Sequence, residues 1–112
     1  MQPIAVTTIG TATSTPFIMD YMQNPFQVSV GCVLNSGTAF FNVQHIFDYS
    51  TVFSPTWNGT SGTWFNNSGI TGATASISGN YAFPVAAIRL QVASCSATAS
   101  VTMNITQASN AP

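Results

Sequence analysis

The chain of 112 residues carries three full charges at pH 7, Arg89, Asp20 and Asp48, with no Lys and no Glu, and 46% of it is hydrophobic. One cation cannot grip a phosphate backbone and so few acids and bases leave catalysis almost without tools, which argues against nucleic-acid binding and against an enzyme. Its polar surface rests instead on Ser, Thr, Asn and Gln at 43 of 112 positions, and a near-neutral surface of that kind repels its own copies poorly, as suits a building block.

The start, Met1-Gln2-Pro3-Ile4-Ala5-Val6, has neither a basic region nor a sustained apolar run, so the chain reads as made and kept in a cytoplasm or already processed. Ile4-Ala5-Val6 and Pro16-Phe17-Ile18-Met19 predict two strands around a flexible Gly10 to Thr15 tract. Residues 1–16 are read as an N-terminal arm or edge strand, able to add a strand to a neighbour, and residues 17–112 as a single sandwich domain. From Phe26 to Leu34, apolar Phe26, Val28, Val30, Cys32 and Leu34 recur with a period of two, which places one face on a core. Thr38 to Phe47 repeats the pattern with Phe41, Val43, His45 and Phe47 on one face and Phe40, Asn42, Gln44 and Ile46 on the other. The Asn35-Ser36-Gly37 connection predicts that these two strands form a β-hairpin.

After Asp48 comes a long polar loop studded with Phe53 and Trp57, and order returns at Thr63-Trp64-Phe65. A loop of this length in a small domain is usually functional or packed at an interface. Phe53, Trp57, Trp64 and Phe65 are therefore the candidate partner contacts. Thr74-Ala75-Ser76-Ile77 predicts a short strand and Ser78-Gly79-Asn80 a turn. Tyr81 to Val92, interrupted at Pro84, continues with Ile88, Leu90 and Val92 inward and Arg89 and Gln91 outward. The last strand alternates Val101, Met103 and Ile105 with Thr102, Asn104 and Thr106. Helix signals are nearly absent. About seven or eight short antiparallel strands predict an all-β fold, a single antiparallel β-sandwich or jelly roll. No stretch reaches the roughly 18 continuous apolar residues of a membrane-spanning helix.

Chemistry-bearing groups are few. His45 lies in phase with apolar neighbours and reads as a structural histidine. Cys32, Cys95, His45, Asp20 and Asp48 show no metal-ligand spacing, so no metal and no cofactor is expected. Cys32 and Cys95 permit one disulfide at most, which spacing alone does not decide, and in a reducing compartment they read as small buried thiols. No nucleophile elbow accompanies His45, and no catalytic residue is assigned. With one cation available, Asp20, Asp48 and Arg89 are expected to form a structural ion-pair cluster that ties strand ends together. Trp57 and Trp64 read as core or interface residues, with stacking on sugar rings as the rival use.

Asp20-Tyr21-Met22-Gln23-Asn24-Pro25-Phe26, Val43-Gln44-His45-Ile46-Phe47-Asp48, Thr63-Trp64-Phe65-Asn66 and Gly79 to Leu90, in that order and spacing, resemble small structural proteins of tailed bacteriophage particles. The likeness spans Phe17 to Gln107 and is nearest to the head decoration, or cement, type. It implies a sandwich or jelly-roll subunit on the capsid exterior of the virion, bound to the major capsid protein and to itself as a dimer or trimer. It implies no enzymatic role, and the single cation and the lack of a long apolar run lead to the expectation of no nucleic-acid and no membrane partner. A tail, neck or receptor-binding component, including one that binds carbohydrate, is the alternative.

Overall fold

Alternating apolar and neutral polar residues build nearly every element of the computed structural model, which describes residues 4–14, 16–19, 27–59, 62–81, 85–96 and 99–107. The strands are β1 (Ile4–Ile9), β2 (Phe17–Ile18), β3 (Val28–Ser36), β4 (Ala39–Ile46), β5 (Trp64–Asn66), β6 (Ile77–Tyr81), β7 (Ala87–Cys95) and β8 (Ser100–Gln107), with one short helix, α1 (Tyr49–Val52), between β4 and β5. Two four-stranded sheets result, ordered β1-β8-β3-β6 and β2-β7-β4-β5, and every pairing is antiparallel.

This order is a jelly roll. The strands pair as β1 with β8, β2 with β7, β3 with β6 and β4 with β5. That is one long antiparallel ribbon, out along β1 to β4 and back along β5 to β8. Except between β4 and β5, each step along the chain changes sheet, so the ribbon rolls up, and the β3–β8 and β4–β7 ladders close it. The all-β sandwich expected from the sequence is the observed fold, with β1 as an edge strand of the subunit's own sheet.

Three local expectations are corrected. β3 and β4 do not form a hairpin, because the chain passes from one sheet to the other at Gly37. Alternation alone cannot separate a hairpin from such an arch, since both bury every second residue. What selects the arch is a neighbouring crossover, β7 to β8, at the same end. Ser96 N–H donates to Thr38 C=O at 2.8 Å and Thr38 N–H to Ser96 Oγ at 3.1 Å. Gly37 has φ +74, and a Cβ there would sit 2.9 Å from the Ala99 Cα, so the crossing admits only glycine. Second, Ser78, Gly79 and Asn80 do not turn but lie inside β6 opposite Gly31, Val30 and Ser29, and the predicted strand at 74–77 survives only in Ile77. A Cβ on Gly79 would approach the Ile70 Cδ1 to 3.1 Å, so the glycine makes room for a fully buried Ile70. Third, the Gly10 to Thr15 tract is tied down over Ala12 to Ser14. Val92 N–H donates to Ala12 C=O at 2.8 Å and Ser14 N–H to Leu90 C=O at 2.7 Å.

The core fills the space between the sheets. β3 and β8 contribute Val28, Val30, Cys32, Val101, Met103 and Ile105, and β4 and β7 answer with Phe41, Val43, Ile88, Leu90 and Val92. Full burial of side chains this size stabilises by about 1.5–3 kcal/mol each. Cys32 and Cys95 are both free thiols, and burial pushes the Cys32 thiol up to about 12, which keeps it protonated and inert. His45 is also buried, and its Nδ1 meets the Tyr81 hydroxyl at 2.9 Å, a bond that spans the two sheets. Among the described residues no helix is long and apolar enough to cross a membrane.

Candidate functional site

The loop after β4 folds back over the outer face of the β2-β7-β4-β5 sheet. It opens with α1, whose N-cap is Asp48. The carboxylate accepts from Thr51 Oγ1 at 2.6 Å, from Ser50 Oγ at 3.0 Å and from Thr51 N–H at 3.2 Å. These bonds, the Thr51 side chain first, hold its pKa below the ordinary carboxylate value. A second apolar cluster lies beneath the loop, where Ile46, Val52, Ala86 and Ala87 are buried and Tyr49, Trp57 and Trp64 pack against them.

Trp57 from the loop stacks on Trp64 of β5, with ring centroids 6.4 Å apart and planes 24° apart. The Arg89 guanidinium lies over the Trp64 ring at 4.1 Å, a cation–π contact that partial desolvation strengthens. Arg89 Nε donates to Gln44 Oε1 at 2.8 Å. The expected Asp48–Arg89 ion pair is thus replaced by other bonds at both ends. The helix cap takes the carboxylate, the aromatic ring and the amide take the guanidinium, and neither group has to be desolvated against an opposite charge. Asp20 lies outside the described residues.

From Arg89 a row of side-chain amides continues across β4, β5 and β7. Gln44 Nε2 donates to Asn66 Oδ1 at 3.0 Å and to Gln91 Oε1 at 3.3 Å. Asn42 Nδ2 donates to Gln91 Oε1 at 3.1 Å, and Asn42 Oδ1 accepts from the Gly72 N–H at 2.7 Å. Strand register explains the alignment, because Gln44 stands opposite both Asn66 and Arg89, and Asn42 opposite Gln91.

The four aromatic contact candidates therefore divide. Trp57 and Trp64 come together beside Arg89. Phe53, about half exposed, closes the end of α1. Phe65 turns to the other side of β5, its ring 6.1 Å from His45 and 5.7 Å from Phe47, at the open edge of the sandwich. The amide row is not among the sequence candidates, although the sequence places Gln91 outward and Asn42 and Gln44 on the strand face opposite Phe41 and Val43. The missing signal was the pairing of β4 with β7, 40-odd residues apart in sequence. Among the described residues no three His, Cys, Asp or Glu side chains gather.

No protein-family model matches the chain, and no curated protein matches it. Among the solved structures similar to it are two. One is from Bacillus endospore appendages, described as a novel family of disulfide-linked pili, at 15% identity over 98% of this chain and 87% of that one, with a TM-score of 0.40. The other is the SPBc2 prophage-derived protein YomS, at 9% identity over 96% of each chain, with a TM-score of 0.42. At such values the fold assignment rests on the strand order of the chain itself.

Proposed function

We propose that this chain is a structural subunit of a virion, a decoration or cement protein that binds the lattice of the major capsid protein and stabilises the head. The observation that carries the reading is the charge distribution on the jelly roll, since among the described residues Arg89 is the one charged residue in any strand. Surfaces so neutral approach one another without charge repulsion. Modest contacts then suffice, because many copies bound to one lattice act together. Self-association as a dimer or trimer follows from the same surface.

Co-sedimentation of the purified protein with heads that lack it, together with the heat resistance of those heads, tests the proposal. Saturable binding that raises the disruption temperature supports it. Absence of binding overturns it in favour of the second reading, a tail, neck or receptor-binding component. That reading draws on the Trp57–Trp64 stack beside neutral amides, and its signature is glycan binding lost in Trp57→Ala.

A further inference from the structure

We infer that the Arg89 face of the β2-β7-β4-β5 sheet is a docking site for a carboxylate side chain of a partner protein, with Gln91 and Asn66 receiving carbonyl oxygens beside it. The inference deepens the proposed function, because it names the contact through which a lattice would be gripped, and it rests on that reading for the partner's identity.

The hydrogen bonds of this face each have a fixed direction. Arg89 has donors and no acceptor, so the Gln44 atom facing it must be the amide oxygen. Gln44 therefore turns its amino group to Gln91 and Asn66, and both of these must answer with oxygen. At the far end the Gly72 backbone N–H, again donor only, fixes the Asn42 oxygen toward itself, so Asn42 too offers its amino group to Gln91. Two donor-only ends thus force one polarity on the whole row. Each of the four side-chain amide oxygens is engaged. The Gln91 and Asn66 amino groups and the two terminal nitrogens of Arg89 have no acceptor among the described residues. The face presents donors, and one of them is the chain's single cation.

A face of donors fits a ligand of acceptors. Sugar hydroxyls both give and take protons and would leave their own donors without partners here. The Trp64 ring, on which a sugar could stack, is also in use, since Trp57 and Arg89 lie against it. A carboxylate takes the Arg89 fork in two parallel bonds. Arg89 and Gln91 stand two residues apart on β7, roughly 7 Å, so the amide meets a different group of the same partner, and protein backbone carbonyls are acceptors only. Trp and Arg are also among the residue types enriched where most protein–protein binding energy is carried.

Side-chain NMR on the intact chain tests this with acetate as the probe, against chloride at equal ionic strength. Acetate is expected to shift the Arg89 Nε–H and the Gln91 and Asn66 amino resonances along one saturation curve. Arg89→Gln is expected to weaken that response at least tenfold, and Arg89→Lys, which keeps charge but loses the fork, several-fold. Equal shifts with chloride, or none with acetate, would overturn the site. Methyl glucuronide binding tenfold tighter than acetate would overturn the protein partner in favour of an acidic glycan. On heads, equal binding by Arg89→Gln and the wild type would sink this inference while leaving the cement reading intact. An acetate response without any head binding would keep the site and remove the cement reading.

Discussion

On the outward face of the β1-β8-β3-β6 sheet, Thr7 and Thr102 share a hydrogen bond of 2.8 Å, and Asn35 donates to Thr102 at 2.8 Å and to Ser100 at 3.3 Å. On the opposite outward face the bonds run among Arg89, Gln44, Asn66, Gln91 and Asn42. Both faces are polar and almost uncharged, yet they differ in kind. A hydroxyl both donates and accepts, so the threonine network can reverse and meet a neighbour of either sense. The amide row is pinned by a guanidinium at one end and a backbone N–H at the other, so it cannot. One face is adaptable and the other selective, and the loop carrying Trp57 reinforces only the selective one.

The largest test of that contrast is Trp64→Ala set beside Val33→Ala. Trp64 covers Ile46 and Ala87 and stacks with Trp57 and Arg89. Its half-buried position lowers the expected cost from the roughly 3–5 kcal/mol of a fully buried Trp to about 2–3 kcal/mol. Val33 on the other face is 42% exposed, and its truncation should stay within about 0.5 kcal/mol. Chemical denaturation measures both, and equal losses would erase the distinction between the faces. Next in size is Tyr81→Phe at the seam the faces share. It leaves the buried His45 Nδ1 without its hydroxyl, for a loss of about 1–3 kcal/mol. Because the seam lies inside the sandwich, partner binding by the folded variant should be unchanged; weakened binding would mean that the faces are not independent.

The strands were legible because burial alternates with a period of two, and β3, β4, β7 and β8 lie close to where Val28, Phe41, Leu90 and Met103 put them. Partner choice was not legible. Gly37 suits a hairpin turn and an arch equally well, and only its long-range neighbours Ser96 and Ala99 decide between them. The same long-range pairing hid the site. The sequence puts Arg89 and Gln91 outward and Asn42 and Gln44 on a shared strand face, but their alignment needs β4 beside β7. Asp48 was misread for a local reason. Its partners are Ser50 and Thr51, two and three residues on, a capping pattern that a four-residue helix announces only weakly.

A pH profile sharpens the comparison with a smaller effect. Burial lowers the His45 imidazole pKa from its ordinary 6.5, so the folded chain keeps it neutral where the unfolded chain already takes up a proton. Stability is then full above about 6.5 and declines as pH falls below that value toward the lowered folded pKa. His45→Asn should flatten this decline. Asp48 adds a separate step at more acid pH, since its hydrogen bonds contribute above 3.8 and are lost as pH falls through the lowered folded value. Neither group belongs to the Arg89 row, so acetate binding there should not follow the His45 step; a coincident loss would tie the seam to the selective face.

The smallest effect is expected on the adaptable face itself. Thr102→Val removes the acceptor of Asn35 and the partner of Thr7, but leaves a β-branched side chain of similar shape in mid-strand, where valine is at least as well accommodated as threonine. Asn35 keeps Ser100, and Thr7, being exposed, turns to water. The melting free energy should move by no more than about 0.5 kcal/mol, as for exposed substitutions generally. Binding to heads should also hold, because a reversible hydroxyl network has no single member on which its sense depends. Gln44→Leu on the other face makes the matched control: it too trades a polar side chain for an apolar one, yet it cuts the row where the polarity is relayed from Arg89 and frees Asn66 to flip, while Asn42 still holds Gln91. If Thr102→Val weakened binding as much as Gln44→Leu, selectivity would not reside in the pinned direction of the amides, and the two faces would be one kind of surface after all.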